Sequence, residues 1–153
     1  MRAQGGAIVL LGCASLCGCS YADGVRYSVD GTASFATTAA PPTGVIIQFA
    51  TQWSSSGSGL DVGGSNVAVG AAPPTPIGPW RPTSDPRVFT FEVVVEVPRP
   101  SNGKDPGLAM GLELAKTSTS SMALGDIISQ QVGDENDGWY AAHLVARFDC
   151  TAW

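Results

Sequence analysis

Apolar and polar residues alternate one by one through most of the chain after residue 22. From Arg87 to Val97, the side chains of Phe89, Phe91, Val93, Val95 and Val97 fall on one side and Thr90, Glu92, Val94 and Glu96 on the other. Successive strand residues point to opposite faces, whereas a helix would spread those five around its circumference, so the period predicts a half-buried strand. Pro98 and Pro100 end it. Val45 to Trp53 repeats the pattern, with Val45, Ile47, Phe49 and Trp53 inward and Gln48 and Gln52 outward. Arg26 to Thr37 places Tyr27, Val29, Ala33 and Phe35 on one face, and the last run sets Tyr140, Ala142, Leu144, Ala146, Phe148 and Cys150 against Trp139, His143, Arg147 and Asp149. Leu108 to Lys116 predicts another strand, with Leu108, Met110, Leu112 and Leu114 together, and Asn66 to Ala71 a short one. Ser120 to Val132 fits two patterns. One is a short helix capped by Ser120 or Ser121 and weakened by Gly125; the other is two short strands around Gly125-Asp126.

Turn-forming residues separate these runs at Asp30-Gly31, Pro41-Pro42-Thr43-Gly44, Asn102-Gly103 and Asp137-Gly138. About six to eight short strands with almost no helical period predict an all-β fold, an antiparallel β-sandwich of Ig-like or jelly-roll-like type or an open barrel. One inner and one wet face per sheet account for the one-sided alternation. The segment 54–86 holds most of the Gly, Ser and Pro and is expected to be a long loop with Trp80 folded back onto the sandwich.

The first 22 residues behave differently. Arg2 precedes an apolar stretch from Ala7 to Gly18 whose 12 residues suit a signal peptide and fall short of the roughly 20 that span a bilayer. Residues 1–22 are therefore expected to be a signal peptide and residues 23–153 a single domain. Two processing sites compete. Ser20-Tyr21-Ala22 offers small residues for cleavage after Ala22, whereas Leu16-Cys17-Gly18-Cys19 has the form of a lipobox, with Cys19 as the lipidation candidate. The product is then either freely secreted or anchored in the cell envelope, touching a membrane only through that lipid. Three of four cysteines lie in the leader, so no intrachain disulfide framework is expected, and Cys150 reads as a small buried hydrophobe.

Composition narrows the partners. Charged residues make up 14% of the chain, against a usual share of about 25%, so the surface is polar mainly through hydroxyls and backbone. The net charge is −5 and the cations are scattered singly, which argues against nucleic acid. No cofactor motif is present. Asp134, Glu135 and Asp137, with Asn136, offer hard oxygen ligands that could hold calcium, but the same residues suit an acidic turn and the EF-hand spacing fails at Val145. His143, the one histidine, falls on the outward register of the last strand, some 20 Å along it from Asp149. Glu92 and Glu96 stand roughly 13 Å apart on one strand, beyond the carboxylate separations of glycoside hydrolases. A catalytic site is not expected. Tryptophan gives the positive hint: Trp80 and Trp139, with Asp134 and Asp137 beside the latter, are the binding candidates.

The segment Tyr27-Ser28-Val29-Asp30-Gly31-Thr32-Ala33, soon after Cys19, and the ending Phe148-Asp149-Cys150-Thr151-Ala152 together resemble small exported actinobacterial β-sandwich lipoproteins, including accessory proteins of mycobacterial lipid exporters. The resemblance covers 12 residues, and the upstream partner cysteine that such domains often carry is absent. It implies an envelope β-sandwich. The expected function is binding or structural and non-enzymatic, with an envelope protein or a glycan as partner. A carbohydrate-binding or adhesion module is the alternative, and a secreted hydrolase ranks below both.

Overall fold

The computed structural model describes residues 21–37, 40–41, 43–55 and 67–153. Residues 1–20 of the leader, Cys19 included, and residues 56–66 of the long loop lie outside them. Nine strands occur among the described residues, and every regular element is a strand: β1 (Gly24–Phe35), β2 (Val45–Ser54), β3 (Val67–Ala71), β4 (Thr75–Pro76), β5 (Arg81–Pro82), β6 (Val88–Pro98), β7 (Asp105–Lys116), β8 (Met122–Asn136) and β9 (Trp139–Cys150). Hydrogen bonding orders them β3-β2-β7-β8-β9-β1-β6-β5, with β4 also on β2.

The fold is all-β and sandwich-like, mixed but mostly antiparallel. The exception is the β1–β9 pair, which runs parallel from Gly24 opposite Trp139 to Phe35 opposite Cys150. The long strand β8 belongs to both layers. Met122 to Leu124 pair with β7, and Gly125 to Asn136 pair with β9. This places β5, β6, β1, β9 and the second part of β8 in one sheet (the first sheet), and β3, β4, β2, β7 and the start of β8 in the other (the second sheet). Their inner faces meet in one core, where the Tyr27 ring lies 4.6 Å from that of Phe49. From Met122 to Val132 the segment is thus strand. Gly125 is the point at which the chain leaves one layer for the other, not a break in a helix.

Three other expectations are corrected. Asp30-Gly31 is no turn; it lies in the middle of β1, with Gly31 facing inward opposite Phe91. The segment 54–86 is not one loop, because β3, β4 and β5 occur within it. In β7, Leu112 and Leu114 are buried, but Leu108 and Met110 are 49% and 53% exposed. The cause is a pair of register shifts. Ala50 pairs with Gly111, yet Thr51 pairs with Ala109 and Trp53 with Pro106, so Met110 is an extra residue and the inward register passes to Ala109. Thr51 fixes this irregularity from inside: its hydroxyl lies 3.1 Å from the Leu108 carbonyl, which accepts, and 3.1 Å from the buried Tyr27 hydroxyl. Burial pushes the Tyr27 phenol above its ordinary value, and the Thr51 bond acts against that shift.

Asp137-Gly138 forms the two-residue turn between β8 and β9. Asn136 faces Trp139, and the two turn residues have φ of 52° and 79°, the left-handed pair of a type I′ hairpin. At the opposite end, Cys150 is buried, and burial first and the Asp149 carboxylate second push its thiol up to about 12. An Ellman-type reagent at pH 8 should therefore leave native Cys150 unmodified over hours and react at once after unfolding in urea; rapid reaction of the native protein would contradict its burial. A raised folded-state value also sets the sign with pH. The contribution is intact below the ordinary thiol value of 9.0 and is lost as pH climbs from there towards 12, because the unfolded chain releases its proton first.

Candidate binding surface

The two outer faces of the sandwich differ in chemistry because the outward registers carry different residues. On the first sheet, outward positions form a lattice of charge. Arg26 Nε donates to Glu96 at 2.8 Å, Arg81 reaches both Glu92 carboxylate oxygens at 2.8 and 3.2 Å, and His143 Nε2 lies 3.3 Å from the Asp30 carboxylate. Asp30 stands directly opposite Glu92 across β1 and β6, and each carboxylate has its own partner, Arg81 for Glu92 and the His143 ring for Asp30. These pairs sit in water; His143 and Asp30 are 51% and 46% exposed, and ion pairs so placed contribute little to stability. His143 does meet a carboxylate, but on an open sheet face and not in a cleft.

The outer face of the second sheet is apolar. Register brings Ala50 opposite Gly111 on one side and Ala71 on the other, which makes a floor of residues with almost no side chain. Gln48, Glu113 and Leu124 form the next row. A groove of about 340 Å³ runs over this floor, between Leu124 on one flank and Ala72 and Pro74 on the other. Among the described residues, Glu113 is the only charged one lining it. Leu124 is 79% exposed, and Met122 and Val69 extend the apolar surface at its margins. A Cβ at Gly111 would meet only the Ala50 methyl, at 3.9 Å, so the floor is open space and not a close-packed seam.

The residues singled out from the sequence lie elsewhere. Trp80 folds back as expected, with its ring edge-on to Phe91 at 5.2 Å and to Phe35 at 5.7 Å. Trp139 covers Gly24 and carries the Arg26 guanidinium 4.8 Å above its ring. Trp53 is buried and Trp153 packs on Phe35 at 6.2 Å, so each of the four indoles is engaged by the fold. Asp134, Glu135 and Asp137 are exposed along the end of β8 and its turn. Among the described residues, no three His, Cys, Asp or Glu side chains gather closely enough to hold a metal ion.

Alternation alone could not find the groove, because its floor depends on which small residues of β2, β3 and β7 are set side by side. A local signal did exist. Ala50 and Gly111 occupy outward positions where a wet strand face ordinarily carries polar side chains, and Leu124 is a large apolar residue at another. No family model, curated protein or solved structure matches the chain.

Proposed function

We propose that the chain is a non-enzymatic binding protein, exported or held in the cell envelope, which takes the apolar side chains of a partner protein into the groove on its second sheet. The observation that carries this reading is the contrast between the outer faces. One is laced with ion pairs, while the other leaves Leu124, Met122 and Val69 exposed around a trough with a single carboxylate. Exposed apolar surface of that kind marks interaction sites, and the groove falls at the small end of the range for ligand pockets. A described lining with Glu113 as its one charged side chain, in a chain of net charge −5, favours an apolar contact. The apolar leader before residue 22 supports export. Engagement of all four indoles gives the carbohydrate-binding alternative less support, because glycan recognition uses free ring faces.

Gly111→Leu tests the reading, since a leucine there would fill the floor without touching the core. An anilinonaphthalene dye should bind the folded wild-type protein and lose most of its enhanced fluorescence with Gly111→Leu, while His143→Ala on the other face leaves the signal unchanged. Equal dye binding by Gly111→Leu and wild type, with both folded, would refute the groove as the binding surface.

A further inference from the structure

The groove over the second sheet has a counterpart on the same face. Register sets Ala71, Ala50 and Gly111 in one row across β3, β2 and β7. The row on one side holds Gln48, Glu113 and Leu124, and the row on the other holds Val69 and Gln52. Leu124, at 79%, is the most exposed large apolar side chain among the described residues. It stands two strands and one row from Ala50, about 12 Å by strand spacing and rise, so its own side chain cannot cover that floor. A protruding leucine and a hollow floored by Ala50 and Gly111 therefore lie side by side on one surface. Under a two-fold rotation such a surface is complementary to itself. Charge points the same way. Closing the outer face of the first sheet against a copy would strip water from Asp30, Glu92 and Glu96 and from the cations beside them. Along the groove, Glu113 is the one charged side chain among the described residues, and Gln48 lies next to it with an amide to donate. A cationic partner would find little to hold there, whereas a second copy meets a surface as nearly uncharged as its own.

We infer that this face is where two copies of the chain meet, related by a two-fold axis that passes between Leu124 and Ala50. The inference rests on the reading of the groove as a binding surface and names its occupant. Each Leu124 seats over Ala50 and Gly111 of the second copy, and Met122 and Val69 add apolar area at the margins. The Gln48 amide of one copy donates to the Glu113 carboxylate of the other, so the single charge is not left bare on closure. Both hollows fill at once. The contact therefore closes as a dimer and offers no open end to a third copy.

Sedimentation equilibrium of the purified protein provides the test. Wild type should pass from monomer to dimer as its concentration rises into the high micromolar range. The anilinonaphthalene enhancement per chain should fall in step, because the dye and the second copy compete for one groove. Gly111→Leu fills the hollow and Leu124→Ala removes what enters it, so each should weaken the dimer by about tenfold or more. Mixed in equal amounts, these two variants should dimerise with each other. The intact Leu124 of the first enters the open hollow of the second, and the shortened side chain of the second leaves room for the filled hollow of the first. His143→Ala should dimerise like wild type. A wild type that stays monomeric, while its dye signal is still lost with Gly111→Leu, would overturn the second copy as occupant and leave the binding surface standing. A dimer that survives both Gly111→Leu and Leu124→Ala would place the contact elsewhere. Dye binding indifferent to Gly111→Leu would sink both readings.

Discussion

Gly31→Val is expected to destabilise the protein by about 3 kcal/mol, at the upper end of what overpacking a core costs. The reason is space and not backbone conformation. Gly31 points inward from β1, and the Phe91 ring from β6 lies flat across it, so that even a Cβ would sit 2.0 Å from Cζ of that ring. The ring has nowhere to go. Phe91 is buried, with Trp80 at 5.2 Å on one side and Phe148 at 5.9 Å on another. Urea denaturation should show the midpoint of Gly31→Val well below that of wild type at an unchanged slope. Adding Phe91→Leu should recover part of the loss, because the two positions share one volume. A midpoint for Gly31→Val indistinguishable from wild type would mean that the ring does not occupy that place.

Trp53→Ala should cost more, about 4 kcal/mol, which is a large part of the 5–15 kcal/mol that holds a typical domain together. Trp53 has no measurable exposure and fills the end of the core beside Gly70 and Gly103; a Cβ at Gly70 would sit 2.8 Å from the indole nitrogen and one at Gly103 3.0 Å from the Trp53 Cβ. Its indole N–H has no acceptor among the described residues. Trp53→Phe, which discards the N–H and keeps a ring, should therefore lose well under half of what Trp53→Ala loses. Paired denaturation curves of the two variants check this. Comparable losses would show that the indole N–H is satisfied in solution and contributes to stability.

Both predictions concern contacts between residues far apart in sequence, and that is where the boundary of legibility falls. Inward and outward faces of β1, β2, β6 and β9 were readable because strand geometry imposes a period of two within each segment. Sheet membership was not, since nothing local tells β1 that its neighbours are β6 and β9. The same gap explains Asp30-Gly31. By composition the pair is turn-like, and only the presence of Phe91 opposite makes a glycine there a packing requirement. Alternation sets Leu108 and Met110 on one face with Leu112 and Leu114, because a bulge shifts parity without any mark in the segment that carries it; the Thr51 hydroxyl and the Tyr27 hydroxyl behind it, which hold the bulge, come from two other strands. At the surface, the tryptophans were visible as residue types, but their engagement by Arg26, Phe35 and Phe91 was not. The groove was hidden for the same reason, as were the partners of His143 and Glu92.

The pairing of the first long strand with the last has a kinetic consequence. Strand β1 is flanked by β6 and by β9, so residues 24–35 keep an open hydrogen-bonding side until residues 139–150 arrive. Contacts so distant along the chain make for slow folding. In the export proposed above, a chain threaded amino end first would not complete its centre while its tail is still on the near side, and would stay pliable enough to pass.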